Sequence, residues 1–110
     1  MMFRVSANPP PVVREPLRDI IARLDDLPDD AVICAEGKPR WTATSPAYLV
    51  PAPPPDAPLP DYFLEAATAR IVLDAWSHMR RGRAPTPSEQ VAAIIYYAIN
   101  DANLLPPEPA

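Results

Sequence analysis

Residues 51 to 60 read Pro-Ala-Pro-Pro-Pro-Asp-Ala-Pro-Leu-Pro, so six of these positions have no backbone donor. Such a stretch cannot lie inside a helix or a central strand, because both need the amide that proline lacks. It must be an extended, stiff spacer, most naturally polyproline II. The same composition suits a docking peptide for an aromatic-lined groove, but a rigid surface connector is the plainer reading. Proline bias runs through the whole chain, with 18 prolines against 2 glycines in 110 residues. Regular elements must therefore be short and fit between the prolines.

The chain as a whole is otherwise of ordinary globular composition, 48% hydrophobic and 22% charged, and of a length that forms one compact domain. Residues 1 to 15, with Asn8-Pro9-Pro10-Pro11, carry no apolar period and read as an extended arm. Leu17, Ile20, Ile21 and Leu24 follow the helical period behind Pro16, which predicts a short amphipathic helix ending before Pro28. Ala31 to Ala35 lean to strand, with a reversal at Glu36-Gly37-Lys38-Pro39. A second strand starts near Trp41 or runs through Ala47 to Val50.

After the spacer, Leu64, Ala67, Ile71, Val72, Ala75, Trp76 and Met79 predict a helix from about Tyr62 to Arg81, although Tyr62 to Leu64 also suit a short strand. His78, Arg80 and Arg81 complement its C-terminal dipole, and Gly82 suits the left-handed residue after it. Thr86-Pro87-Ser88-Glu89 is a capping box that opens a final helix through Ala102. The expected fold is α+β. It has a short N-terminal helix, a small two- or three-stranded antiparallel sheet, the proline-rich spacer and two C-terminal antiparallel helices. The domain spans 16 to 105, and 106 to 110 form a tail.

Candidate chemistry is sparse. Cys34 is the only cysteine and His78 the only histidine, so zinc-type ligand spacing is absent and no metal or cofactor is expected. A catalytic pair of Cys34 and His78, or the carboxylates around Asp29 in a cleft, is the enzymatic alternative. Gly37 and Gly82 cannot build a phosphate loop. A net charge of −4 argues against a nucleic-acid backbone and favours a basic protein surface as partner. Asp25, Asp26, Asp29 and Asp30 form an acidic turn without the ligand alternation of a calcium loop, so solvation or docking of such a partner explains them better.

Trp41, in a loop-like setting between Pro39 and Pro46, is a candidate partner contact, and Arg80 and Arg81 belong with His78 and Arg83 to a small basic cluster that could receive a phosphate or a partner carboxylate. Trp76 is expected in the core. Apolar residues Ile94, Ile95, Tyr96, Tyr97 and Ile99 raise the alternative of a homodimer through the final helix. Neither a signal-peptide run nor a membrane-length apolar stretch is present, which predicts a cytoplasmic protein.

The segments Leu24-Asp25-Asp26-Leu27-Pro28-Asp29-Asp30-Ala31, Trp41 with Ser45-Pro46-Ala47, Ala69-Arg70 with Trp76, and Ile95-Tyr96-Tyr97-Ala98 with Asn100-Asp101-Ala102 together resemble a family of short bacterial proteins without an assigned activity. That resemblance implies a self-contained bacterial protein and supplies no mechanism. The functional expectation is a small non-enzymatic protein-binding regulator, an antitoxin or immunity-type neutraliser of a basic partner. An accessory subunit or homodimeric structural protein is the alternative.

Overall fold

The computed structural model describes residues 13 to 103. Most of the N-terminal arm and the whole 106 to 110 tail lie outside them. Element order is β1 (Glu15–Pro16), α1 (Leu17–Ala22), a 3-10 turn (Leu24–Asp26), β2 (Val32–Ala35), β3 (Pro46–Val50), β4 (Tyr62–Glu65), α2 (Ala66–His78) and α3 (Pro87–Asn100). The α+β class is as expected, but the sheet has four strands in the order β1-β3-β2-β4, all pairs antiparallel.

Two of those strands were hidden by proline and by helical periodicity. Pro16 ends β1 opposite Pro46 at the sheet edge, where a missing amide costs no ladder bond, and so it precedes α1 rather than sitting in its first turn. The chain then turns at once into α1, with the Leu17 and Arg18 amides donating to the Ser45 and Ala43 carbonyls at 2.9 Å each. Residues 62 to 65 form a strand, as the shorter reading of that segment allowed, and α2 begins only at Ala66.

Both β3 and β4 run antiparallel to β2, so they are parallel to each other with β2 between them. Residues 51 to 61 must therefore return along the length of the sheet and cross one strand. At ~3 Å per extended residue, a ten-residue polyproline stretch has a reach of ~30 Å, enough for a five-residue return of ~17 Å plus ~10 Å sideways. The segment is thus a crossover strap within one sheet and not a spacer between two halves. Its start is tied down by the Ala52 amide, which donates to the Asp30 carbonyl at 3.1 Å, and its end by the Tyr62 amide on the Leu59 carbonyl at 3.0 Å.

One sheet face carries the main core. Ile33, Ala35, Ala47, Phe63 and Leu64 meet Leu17, Ile20 and Ile21 of α1, Ala69, Val72 and Trp76 of α2, and Val91, Ala93 and Ile94 of α3. A β-bulge between the Ile33 and Cys34 register positions lets the consecutive residues Phe63 and Leu64 both join this core. The bulge contradicts strict alternation and places the Phe63 ring edge-on to Trp41, centroids 4.8 Å apart at 88°. Trp41 is only 7% exposed and donates its indole N–H to the Ala35 carbonyl at 2.9 Å. Trp41, the partner-contact candidate, thus packs on Phe63 and spends its indole N–H on a backbone carbonyl within the domain.

The helices end and begin by local chemistry. α2 closes with the Gly82 amide on the Ser77 carbonyl at 2.8 Å and the Arg81 amide on the His78 carbonyl at 3.3 Å, a Schellman arrangement. Its first left-handed residue is Arg81 at φ 58°, followed by Gly82 at φ 83°, so the left-handed turn starts one residue earlier than expected.

α3 has the full capping box, Glu89 amide to Thr86 Oγ1 at 3.2 Å and Thr86 amide to Glu89 Oε1 at 3.0 Å. Arg83 and the box together hold the Glu89 carboxyl down at about 2. The stabilisation from this ionised group is therefore present above the ordinary carboxylate range and is lost as pH falls toward about 2. Thr86→Ala removes the acceptor and is expected to lower stability by about 1 kcal/mol, read from the urea midpoint at unchanged slope. An unmoved midpoint would exclude the cap as a contributor.

Candidate functional site

Ile71 is the residue on which the helical pattern failed. Ala66, Ala69, Val72 and Trp76 form the buried line of α2, and Ile71 lies about 100° around the helix from Val72. It is 67% exposed, the most exposed large aliphatic side chain on any helix of the described residues. Arg70, Asp74, Ser77 and His78 lie on the same outward face, and two adjoining concavities of about 500 and 420 Å³ share Ile71, Asp74 and Ser77. Asp25 of the 3-10 turn and Gln90 of α3 complete the second, while Gly82 borders the first. Ser77 Oγ donates to the Arg83 carbonyl at 2.8 Å, so the α2–α3 connection is held as a fixed wall.

The acidic turn abuts this groove. Asp25, Asp26, Asp29 and Asp30 are all exposed. Asp29 is paired with the Arg70 guanidinium, which also donates to the Leu24 and Leu27 carbonyls at 2.8 and 3.1 Å. Asp25, Asp26, Asp30 and Asp74 have no ion-pair partner among the described residues. The sequence located the acidic turn but not Asp74 or Ile71, because a periodic apolar residue reads as core.

Of the basic cluster, Arg80 stacks on the Trp76 indole at 3.9 Å and donates to the Trp76 carbonyl at 3.0 Å. Arg83 covers the same ring at 4.7 Å and is bidentate on Glu89 at 3.0 and 3.2 Å. Both guanidinium groups thus have structural work at the helix end, and Arg81 is committed to the left-handed turn. These contacts compete with a partner for Arg80, whereas the Arg81 side chain is exposed.

Cys34 and His78 are not brought together. Cys34 alternates away from the core-facing Ile33 and Ala35, onto the sheet face opposite the helices, and is fully buried there. Burial first, then the Asp61 carboxylate, pushes its thiol pKa up, the reverse of thiolate activation. Tyr48, opposite Cys34 in the ladder, donates its phenol to Asp61 at 2.8 Å, and the Arg14 guanidinium lies 4.7 Å over its ring.

Burial and the Asp61 hydrogen bond raise the Tyr48 phenol to about 12, against an ordinary value near 10. A raised pKa favours the folded state below the ordinary value, and that contribution is lost as pH rises through about 12. Tyr48→Phe is expected to flatten the alkaline fall in melting temperature between those two values and to remove the latest-titrating tyrosinate from an ultraviolet titration. An identical alkaline limb in both proteins would assign it elsewhere.

Among the described residues no group of three or more His, Cys, Asp or Glu side chains is placed to hold a metal ion, and no helix is long and apolar enough to cross a membrane. Comparisons with protein-family models, with curated proteins and with solved structures yield no match, so the groove on α2 stands on its geometry alone.

Proposed function

We propose that this chain is a stoichiometric protein-binding regulator, of the antitoxin or immunity-neutraliser kind, that docks a basic partner on the outer face of α2. The observation that carries the reading is Ile71, an aliphatic side chain left 67% exposed beside two concavities that Asp25 and Asp74 border. A buried-on-binding aliphatic inside a polar rim is the usual composition of a binding anchor. Asp25, Asp26, Asp30 and Asp74, without an ion-pair partner among the described residues, favour a cationic surface, speeding encounter and fixing orientation.

The test is comparative capture from the native cells with the wild-type chain and two variants, Ile71→Glu and the triple charge reversal Asp25→Lys, Asp30→Lys, Asp74→Lys. All four positions are outward, so the melting temperature should hold. A basic protein retained stoichiometrically by the wild type and lost by both variants supports the reading. A partner held equally by all three proteins removes the groove from consideration.

A further inference from the structure

We propose that the outer face of α3 is a self-complementary docking face for a second copy of this chain, the two helices pairing antiparallel about a twofold axis near the middle of α3. From Gln90 to Asn100 the helix has no charged residue, although part of it faces outward. Ser88, Ala92, Tyr96 and Ile99 lie within an ~80° arc of helical angle, opposite the buried Ile94.

This stripe has a hole at one end and a knob at the other. Ala43, Pro87, Ser88, Val91 and Ala92 line a concavity of about 360 Å³ with Arg18 at its margin. Toward the C-terminus stand Tyr96, 38% exposed, and Ile99, 51% exposed. An axis passing near residue 93 or 94 brings Ile99 of one copy opposite Ser88 of the other, and Tyr96 opposite Val91 and Ala92. Each knob enters the other copy's hole, as a twofold contact requires.

Charge agrees with shape. The C-cap Asp101 follows the knob and is carried to the hole's margin, where Arg18 stands with its side chain 52% exposed and only a long 3.8 Å pair to Asp19 to give up. Nothing else on the stripe opposes association.

Gln90 and the α2 groove lie on the other flank of α3, so the dimer leaves that groove open in each copy. This inference does not depend on the groove's function. A single helix of 14 residues, ~21 Å long, buries less than the ~800 Å² per partner of a standard interface, so dimerisation is concentration-dependent.

Sedimentation of the full chain over a wide concentration range tests it. The wild type should pass from monomer to dimer. Ala92→Arg, which fills the hole, and Ile99→Glu should each weaken the dimer at least about tenfold with no change in melting temperature. Arg18→Glu should weaken it about fivefold, and adding Asp101→Arg should restore it. Mixing Ser88→Cys with Ile99→Cys should give a disulfide between the two variants, with buried Cys34 silent. A monomer at every concentration, a dimer insensitive to Ala92→Arg, or preferential cross-linking of Ser88→Cys to itself would each overturn the proposal.

Discussion

Phe63→Ala is expected to destabilise the protein by about 3 to 5 kcal/mol, a large part of the total for a domain of this size. The ring is 1% exposed and sits at the bulge of β4, where two consecutive residues turn to one side. Truncation loses the transfer energy of the ring and leaves a cavity that the bulged backbone cannot close by rotating, since Leu64 already occupies the adjacent core position. The edge-to-face contact with Trp41 is lost as well, worth about 0.5 to 1.5 kcal/mol beyond area. Phe63→Leu retains most of the volume and should cost less than half as much. Chemical denaturation of the three proteins decides it. A loss below about 1.5 kcal/mol for Phe63→Ala would mean that the Trp41 loop collapses into the space, and Trp41 fluorescence would then shift.

That strand also shows what the sequence could convey. The α3 start was legible because a capping box is a local device: Thr86, Pro87 and Glu89 satisfy one another within four positions, whatever the tertiary context. The N-terminal helix was legible from the period of Leu17, Ile20 and Ile21, although it shortens to six residues before the 3-10 turn. β4 was ambiguous because a bulge puts Phe63 and Leu64 on one side and so erases the alternation that marks a strand. β1 was not legible at all, since two residues paired at a sheet edge leave no pattern.

Proline content specified an extended chain at 51 to 60 but not its destination. A spacer and a crossover have the same composition, and only the order β1-β3-β2-β4 separates them. The candidate site followed the same logic. Ile71 fits the apolar period that predicts α2, but the buried line runs through Ala69, Val72 and Trp76 and leaves it outside. Sequence patterning fails there because periodicity reports spacing and not which side of a helix the sheet occupies. A residue that fits the pattern yet stays exposed is where a binding role is best sought.

Arg70→Ala is expected to cost about 2 to 3 kcal/mol, an unusually large loss for an arginine on an outward helix face. Its side chain is only 23% exposed and closes the 3-10 turn by donating to the Leu24 carbonyl, which also accepts the Leu27 amide at 3.2 Å, and to the Leu27 carbonyl just past the turn. Removing it leaves the Leu27 carbonyl beside the core to find water, takes the charged donor from the Leu24 carbonyl, and unties the acidic turn from α2. The ion pair with Asp29 contributes little by itself, because the Asp29 side chain is 90% exposed. Asp29→Asn should therefore stay within about 0.5 kcal/mol of wild type, and Arg70→Lys should recover only part of the loss, since one ammonium on a flexible stem cannot serve both carbonyls in fixed geometry. Denaturation of the three variants separates the two contributions. A large effect of Asp29→Asn with a small one of Arg70→Ala would make the pair electrostatic. The ordering expected here makes Arg70 a clamp that fixes Asp25 against the groove beside Ile71. Hydrogen exchange at residues 25 to 31 should then rise in Arg70→Ala and remain unchanged in Asp29→Asn.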